Sequence, residues 1–257
     1  MDFFKNLAVA FSMYSALPMP QFKWNEKNMR FALAFFPVIG LVAGVCEFIW
    51  WEICSLLHFN NLLFAAGFTV IPVIITGGIH FDGFCDTADA LSSHAPLERK
   101  LEILKDSNSG AFAIIFLASY FILYLGFASQ VRFDLTVIIV LTLGFILSRA
   151  LSGLAIATFR CAKNSGLVYT FASHANKKAV RNILIVIAAM LFVCAFILNV
   201  YYGLAILAAC LGVFSYYRVM SYHKFNGITG DLAGYFLVLC ELAVLAAVAV
   251  VQSAVMR

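Results

Sequence analysis

Seven long apolar runs constrain the fold of this chain more than any other feature of its sequence. A helix needs about 20 mainly apolar residues to cross the hydrocarbon core of a bilayer. The runs that reach or approach this length are 31–57, 61–79, 111–129, 135–157, 183–200, 203–217 and 232–252. Only 12% of the 257 residues are charged, against about 25% in an average soluble domain. The sequence therefore predicts an all-α, polytopic transmembrane helix bundle of about seven spans.

The N-terminal segment 1–30 is expected to lie at the membrane surface on the cytoplasmic side. Residues 3–17 are short for a span and are followed by Pro18 and Pro20. We therefore expect an interfacial amphipathic helix that these prolines end; a partial span is the alternative. The same run lacks the cleavage pattern of a signal peptide, so we expect it to be retained. Because no soluble module interrupts the sequence, 1–257 is predicted to form one integral membrane domain.

Basic residues predict the orientation of the bundle. With a cytoplasmic N-terminus and seven spans, 14 of the 17 lysines and arginines face inward, as the positive-inside rule requires. Of the other three, two face outward and Arg149 lies within the fourth span. The inward set is Lys5, Lys23, Lys27, Arg30, Arg99, Lys100, Lys105, Arg160, Lys163, Lys177, Lys178, Arg181, Arg218 and Lys224. The cytoplasmic segments are then 80–110, 158–182 and 218–231, of which the first and third are expected to form the active site.

Three aspartates lie on one predicted helix face just after the second span. Asp82, Asp86 and Asp89 are spaced i, i+4 and i+7, so at about 100° per residue their carboxylates share a narrow face. Like charges this close destabilise a helix, and a divalent cation removes the conflict. Oxygen ligands suit a hard ion such as Mg²⁺, which also takes waters and substrate phosphates. We predict a Mg²⁺ site here, with a solvated acidic face as the alternative.

Two further polar segments lie in the predicted cytoplasmic loops. Lys105 is a candidate phosphate-binding residue, and Asp106 either adds a metal ligand or caps the following span. A glycine-rich turn leads into the last span at Asp231, which is also well placed to cap its own helix. Backbone amides at such a helix start favour anions. The binding candidates in this turn are Gly227, Thr229 and Gly230.

Charged residues inside the apolar runs need a partner or a cavity, because a mid-membrane arginine costs roughly 2.5–3.5 kcal/mol to insert. Arg149 either binds a substrate phosphate or extends to the headgroups. His80, beside the aspartates, is either a ligand or an interfacial hydrogen-bonding residue. Glu47, Glu52 and Glu241 have no role that the sequence defines, and they are the main argument for a cation transporter.

Three motifs together resemble the signature of the cobalamin synthase (adenosylcobinamide-GDP ribazoletransferase) family. They read His80-x-Asp82-Gly83-x-x-Asp86-Thr87-Ala88-Asp89, Lys105-Asp106-Ser107-x-x-Gly110 and Thr229-Gly230-Asp231. The resemblance covers nearly the whole chain, since it includes Ala16-Leu17-Pro18-x-Pro20 and Phe36-Pro37-x-x-Gly40. Ala90 and Asn226 stand where this family commonly has glycine.

The resemblance implies a bacterial enzyme of the inner membrane whose active site faces the cytoplasm. A ribose hydroxyl of α-ribazole, or of its 5′-phosphate, attacks the cobinamide-side phosphate of adenosylcobinamide-GDP, and GMP leaves. We expect no nucleic-acid partner, and the sequence leaves the oligomeric state open, homo-oligomers included.

The same resemblance assigns roles to the candidate residues. The metal ligands are Asp82, Asp86 and Asp89, and the site is completed by Asp106 or Asp231. The general base is Asp89 or Asp231. The remaining catalytic candidates, which neutralise phosphate charge or flank the acidic motifs, are Lys105, Arg149 and His80.

Two other classes of protein are the alternatives. A CDP-alcohol phosphotransferase also uses aspartates on membrane helices, but its pattern places Ala-Arg after Asp-Gly-x-x. Here Asp82-Gly83 is followed by Phe84-Cys85-Asp86 without an arginine. A cation transporter needs polar residues along several spans, and these spans are almost bare of them.

We predict that positions 94 and 174 face the same side of the membrane. Single cysteines replacing His94 and His174, on a background without native cysteines, should react with an impermeant thiol reagent only in inside-out vesicles. A cysteine replacing Arg132, in a predicted outward loop, should show the opposite pattern. Labelling of positions 94 and 174 from different sides would contradict the seven-span arrangement.

Overall fold

The computed structural model describes residues 3–20, 22, 29–106 and 108–255. In this part of the chain a 3-10 turn, Ala32–Phe35, accompanies eleven α-helices. The helices are α1 (Phe3–Tyr14), α2 (Phe36–Leu56), α3 (Asn61–Thr76), α4 (Ile79–Ser92), α5 (Leu97–Ile103), α6 (Ala111–Gln130), α7 (Leu135–Thr158), α8 (Leu167–His174), α9 (Lys177–Leu198), α10 (Val200–Phe225) and α11 (Gly230–Val255). Three residues named in the sequence analysis lie outside the described residues: Lys23, Lys27 and Ser107.

Six helical segments are long and apolar enough to cross a membrane, namely Ala32–Leu56, α6, α7, α9, α10 and α11. A seventh candidate is the pair α3 and α4, which is bent by 96° at its break. The predicted all-α polytopic fold is therefore confirmed. The side on which the N-terminus lies stays a prediction.

The second predicted span differs from the structure at its end. The apolar run 61–79 is helical only to Thr76, because Gly77 and Gly78 both adopt left-handed backbone angles, with φ of 63° and 78°. The amides of these glycines donate to Ile74 O and Val73 O at 3.3 and 3.1 Å, which closes α3. Glycine adopts such angles without a steric penalty. The chain can therefore turn sharply and restart as α4, the helix that carries the aspartates.

The helix α4 packs against α6 and α11, and two glycines allow its close contact with α11. A Cβ added at Gly83 would lie 2.7 Å from Cα of Asp231, and one added at Gly234 would lie 2.9 Å from O of His80. The two helices therefore meet backbone to backbone, as small residues allow between membrane helices. This contact holds His80 and Asp82 next to the start of α11.

The remaining spans enclose α7, the most buried of the membrane helices. It packs against α2, α9 and α11. The predicted N-terminal helix is present as α1, and it contacts the 3-10 turn and α2. After α1 the chain is tied to the end of α3, because Ala16 N donates to Ile75 O at 2.9 Å.

Three loops join at the same end of the bundle. Residues 159–166 follow α7, and 226–229 link α10 to α11; the two segments exchange backbone hydrogen bonds between Ile228 and residues 160 and 162, both 2.9 Å long. Lys163 Nζ donates to Leu101 O at 2.8 Å, which ties in the segment that contains α5. The predicted cytoplasmic segments therefore gather at one end, although much of 80–110 and 218–231 is helical.

We predict that Gly83→Ala destabilises the protein, because the new methyl group would overlap the Asp231 backbone. Overpacking of this kind costs about 1–3 kcal/mol, and thermal unfolding in detergent micelles measures it. Gly126→Ala on α6 is the matched control, since nothing lies within 4 Å of a Cβ at that position. The control should leave the unfolding temperature unchanged or raise it. Equal behaviour of the two variants would contradict the close contact between α4 and α11.

Candidate active site

Two cavities, each of about 210 Å³, meet at the start of α11. The cationic cavity is lined by Lys105, Lys163, Ser165, Thr229 and residues around them. The aromatic cavity is lined by Met13, Tyr14, Phe36, His80, Asp82, Ser152 and Ile156, with further residues of α8 and α11. The residues that line both are Leu167, Val168, Gly230 and Asp231. A ligand that fills both cavities therefore passes Asp231.

Asp231 lies half-buried in the first turn of α11. Thr229 Oγ1 donates to Asp231 Oδ2 at 3.2 Å and accepts from Leu232 N at 3.3 Å. Thr229 therefore takes the position of an N-cap side chain, which leaves Asp231 directed to the cavities. Asp82 lines the aromatic cavity with Asp231, as expected if the two motifs converge.

Asp86 lies one helical turn after Asp82 and is half-buried. Burial opposes a negative charge on Asp86, and the carboxylates of Asp82, Asp231 and Asp89 add to this effect. Asp82, Asp86 and Asp231 form no ion pair with any residue that the structure describes. These carboxylates therefore have a net attraction for a cation.

Asp89 has a structural role that the sequence analysis did not predict. Its Oδ2 accepts from Gly110 N at 2.6 Å and its Oδ1 from Ala113 N at 2.8 Å. The carboxylate therefore caps the N-terminus of α6, where the helix dipole favours negative charge. The predicted roles of Asp89 as metal ligand or general base receive no support from this position, although α4 is helical as expected.

Asp106 lies on the surface and lines neither cavity. Its Oδ1 accepts from Asn108 N at 3.0 Å and from Asn108 Nδ2 at 2.9 Å. These hydrogen bonds lower the pKa of Asp106. Neither predicted role, a metal ligand or a cap of the following span, matches this local turn, and Asp89 is the residue that caps α6.

The predicted four-aspartate metal site is not assembled. In the described part of the chain no three His, Cys, Asp or Glu side chains are grouped as a metal site. Asp82 and Asp86 nevertheless suit an ion that arrives with its substrate. Mg²⁺ commonly uses one or two protein carboxylates and completes its shell with waters and substrate phosphates.

Lys163 is a site residue that the sequence analysis missed, because the segment 158–182 was given no chemical role. It lines the cationic cavity together with Lys105. Burial and the nearby Lys105 ammonium group lower the pKa of Lys163, while the Asp231 carboxylate attracts its charge. The stretch Lys163-Asn164-Ser165-Gly166, just before a helix, was the available signal. Two cations and a helix N-terminus make this cavity suitable for phosphate groups.

Gly227 is buried and has a structural reason for its identity. Its φ is 145°, and a Cβ there would lie 2.7 Å from Ala162 N. The residue therefore lets the turn before α11 approach the loop after α7. Of the predicted binding residues in this turn, Thr229 and Gly230 line a cavity and Gly227 does not.

Arg149 has a partner that neither interpretation of the sequence included. It is fully buried in α7 and forms an ion pair with Glu241 of α11. Its NH1 also donates to Phe145 O and Ser148 Oγ, each at 3.1 Å. Arg149 lines neither cavity, so the structure supports neither the phosphate-binding role nor the headgroup role.

The other intramembrane glutamates differ from Glu241. Glu47 is 1% exposed, and neither of its carboxylate oxygens has a partner among the described residues. Glu52 is exposed near the end of α2. Neither glutamate lines the cationic or the aromatic cavity, and Glu241 is paired with Arg149, so the structure gives the cation-transporter alternative no support.

Comparison with known proteins decides the family. A family model described as Cobalamin-5-phosphate synthase matches residues 6–249. The chain belongs to this family. It is 43% identical over 255 residues to the adenosylcobinamide-GDP ribazoletransferase of Lachnoclostridium phytofermentans. The aligned region covers 99% of this chain and 97% of the relative. The resemblance predicted from the three motifs is therefore confirmed.

More distant relatives carry the same name. The adenosylcobinamide-GDP ribazoletransferase of Clostridium botulinum strain Alaska E43 is 32% identical over 94% of this chain and 95% of its own length. That of Pseudomonas fluorescens strain Pf0-1 is 33% identical over 95% of this chain and 98% of its own length. No solved structure matches the chain.

We predict that Asp89→Ala and Asp86→Ala have different effects on stability. Loss of the Asp89 cap should lower the free energy of unfolding by about 0.5–2 kcal/mol. Asp86→Ala removes a carboxylate from a group of like charges, so it should leave stability unchanged or raise it. Thermal unfolding in detergent without added metal measures both. A stable Asp89→Ala variant would contradict the capping role.

Proposed function

We propose that this chain is the adenosylcobinamide-GDP ribazoletransferase of its organism. It transfers the adenosylcobinamide phosphate group of adenosylcobinamide-GDP to a ribose hydroxyl of α-ribazole, or of its 5′-phosphate, and releases GMP. Family membership and the names of the relatives support the reaction. The position of Asp231 between a cationic and an aromatic cavity is the structural observation that carries the proposal.

The cationic cavity would take the diphosphate of the donor. Lys105 and Lys163 neutralise phosphate oxygens, and the amides at the start of α11 add donors where the helix dipole is positive. Phosphoryl transfer depends mainly on such positioning and charge neutralisation. Lys163 is the better placed of the two lysines to hold the phosphate beside Asp231, because the Asp231 carboxylate attracts the charge of Lys163.

The proposed cofactor is Mg²⁺. Asp82 and Asp86 would hold it, and when bound the ion would neutralise charge on the phosphate oxygens. The fit rests on these two carboxylates, which lie one helical turn apart and form no ion pair with a described residue. Asp89 and Asp106 are omitted from this set, because their oxygens already accept hydrogen bonds from backbone amides.

Asp231 is the proposed general base. It would accept the proton of the attacking hydroxyl while the new O–P bond forms and the P–O bond to GMP breaks. The Thr229 hydroxyl donates to Oδ2 of Asp231, so one oxygen is held in place and Oδ1 is left to face the substrate. His80 is not needed for proton transfer in this scheme.

The membrane provides the setting of this reaction. Six or seven apolar helices make the chain a multi-pass membrane protein, and its relatives are bacterial proteins. We propose that it lies in the inner membrane with both cavities on the cytoplasmic side. The gathering of basic residues and loops at the cavity end supports this orientation.

We predict that membranes containing the protein release GMP from adenosylcobinamide-GDP only when α-ribazole and Mg²⁺ are present. Asp231→Asn should lower kcat by about 100-fold or more with little change in KM, because removal of a general base costs about 10²–10⁴. Asp86→Ala should raise the Mg²⁺ concentration needed for half-maximal rate.

Glu102→Gln is the matched control for these variants. Glu102 is an exposed carboxylate whose partner is Arg99 at 2.9 Å, away from the lining of both cavities. Its variant should keep wild-type rates and the wild-type Mg²⁺ requirement. Absence of GMP release from the wild type would overturn the proposed reaction. Wild-type rates in Asp231→Asn and Asp86→Ala would overturn the roles of these residues and leave the reaction standing.

A further inference from the structure

We propose that the aromatic cavity binds the heteroaromatic base of the acceptor nucleoside, and that His80 and Ser152 recognise a ring nitrogen of this base. The inference rests on the proposed function and deepens it, because it names the residues that select the acceptor. It also gives His80 a role in recognition in place of the catalytic role expected from its motif.

The walls of the aromatic cavity suit a flat ring. The Tyr14 ring stacks on Phe36 with centroids 4.2 Å apart, and the His80 ring lies 6.5 Å from Tyr14 and 5.8 Å from Phe36. Aromatic side chains prefer such offset or tilted contacts with a further ring. The volume of about 210 Å³ exceeds the roughly 150 Å³ of an apolar cavity that holds benzene. A bicyclic base therefore fits.

Two polar side chains in these walls have no hydrogen-bond partner among the described residues. His80 is 6% exposed and Ser152 is 1% exposed, and neither side chain forms a hydrogen bond with a described residue. Buried polar groups in proteins are nearly always hydrogen-bonded. An apolar cavity with a few unpaired polar groups is the usual form of a small-molecule site. Both side chains are thus available for a ligand atom.

The unpaired polar groups suit the base of the acceptor. A base joined to ribose through one nitrogen of its five-membered ring keeps a lone pair on the other nitrogen, and the one or two donors that His80 and Ser152 supply satisfy it.

The direction of attack separates the site of the acceptor base from that of guanine. The attacking hydroxyl and the leaving GMP lie roughly in line on opposite sides of the phosphorus atom. Lys105 and Lys163, which would neutralise the leaving phosphate, line only the cationic cavity. GMP therefore leaves on that side of Asp231, and the acceptor approaches from the aromatic side.

The test compares two acceptors on one protein. α-Ribazole carries the free ring nitrogen, and the matching indole riboside has CH at this position with nearly the same shape. We expect the wild-type protein to show a KM for the indole riboside that is about 10- to 100-fold higher, because buried donors are left unpaired. The KM for adenosylcobinamide-GDP should not change.

His80→Ala should raise the KM for α-ribazole about tenfold and have little further effect on the indole riboside. This coupling between variant and ligand atom is a result that a purely structural role does not produce. Ser152→Ala removes a single hydroxyl from the same wall. Its effect on the KM for α-ribazole provides a second test if His80→Ala does not fold. His94→Ala, on the exposed loop after α4, is the control and should match the wild type.

A fall in kcat for both acceptors alike, without a change in their KM ratio, would overturn the recognition role of His80. Equal KM values for the two acceptors in the wild type would overturn the subsite itself. Calorimetry of α-ribazole binding to Asp231→Asn protein separates these failures from that of the proposed reaction. Binding that is weakened by His80→Ala supports the subsite even when no GMP is released.

Discussion

The close contact between α4 and α11 is the constraint on which the candidate active site depends. Gly83 meets the backbone of Asp231, and Gly234 meets the backbone of His80, so no side chain separates the two helices. Residues from distant parts of the sequence thereby share one end of the bundle. The contact also requires the 96° bend before α4, since a straight continuation of α3 would carry the aspartates away from α11.

The interaction partners of each carboxylate show whether its role is structural or chemical. Asp89 accepts hydrogen bonds from amides at the start of α6, and Glu241 forms an ion pair with Arg149. Asp82 and Asp86 have no such partner among the described residues, although they lie on the same short helix as Asp89. A charge that the fold itself does not neutralise is available to a ligand, and Asp82 lies in the wall of an open cavity.

Local sequence patterns predicted most of the fold and part of the candidate site. Span length followed from apolar runs, and the helical period placed Asp82 and Asp86 together. The bend after Thr76 was not predicted, because an apolar run does not reveal where paired glycines turn the backbone. The Arg149–Glu241 pair and the role of Lys163 were not predicted either, since both depend on contacts between residues far apart in sequence. The capping role of Asp89 was not predicted for the same reason, since it depends on amides more than 20 residues away.

The Arg149–Glu241 pair has a consequence for the way the protein is made. The two residues are 92 positions apart, and Glu241 lies in the last span. At about 5–20 residues per second, the ribosome needs roughly 5–20 s to supply the partner after Arg149 has been synthesised. During this interval an unpaired arginine, which costs roughly 2.5–3.5 kcal/mol in mid-membrane, disfavours full release of α7 into lipid. The insertion machinery must therefore retain α7, or stabilise it by other contacts, until the C-terminal helix arrives.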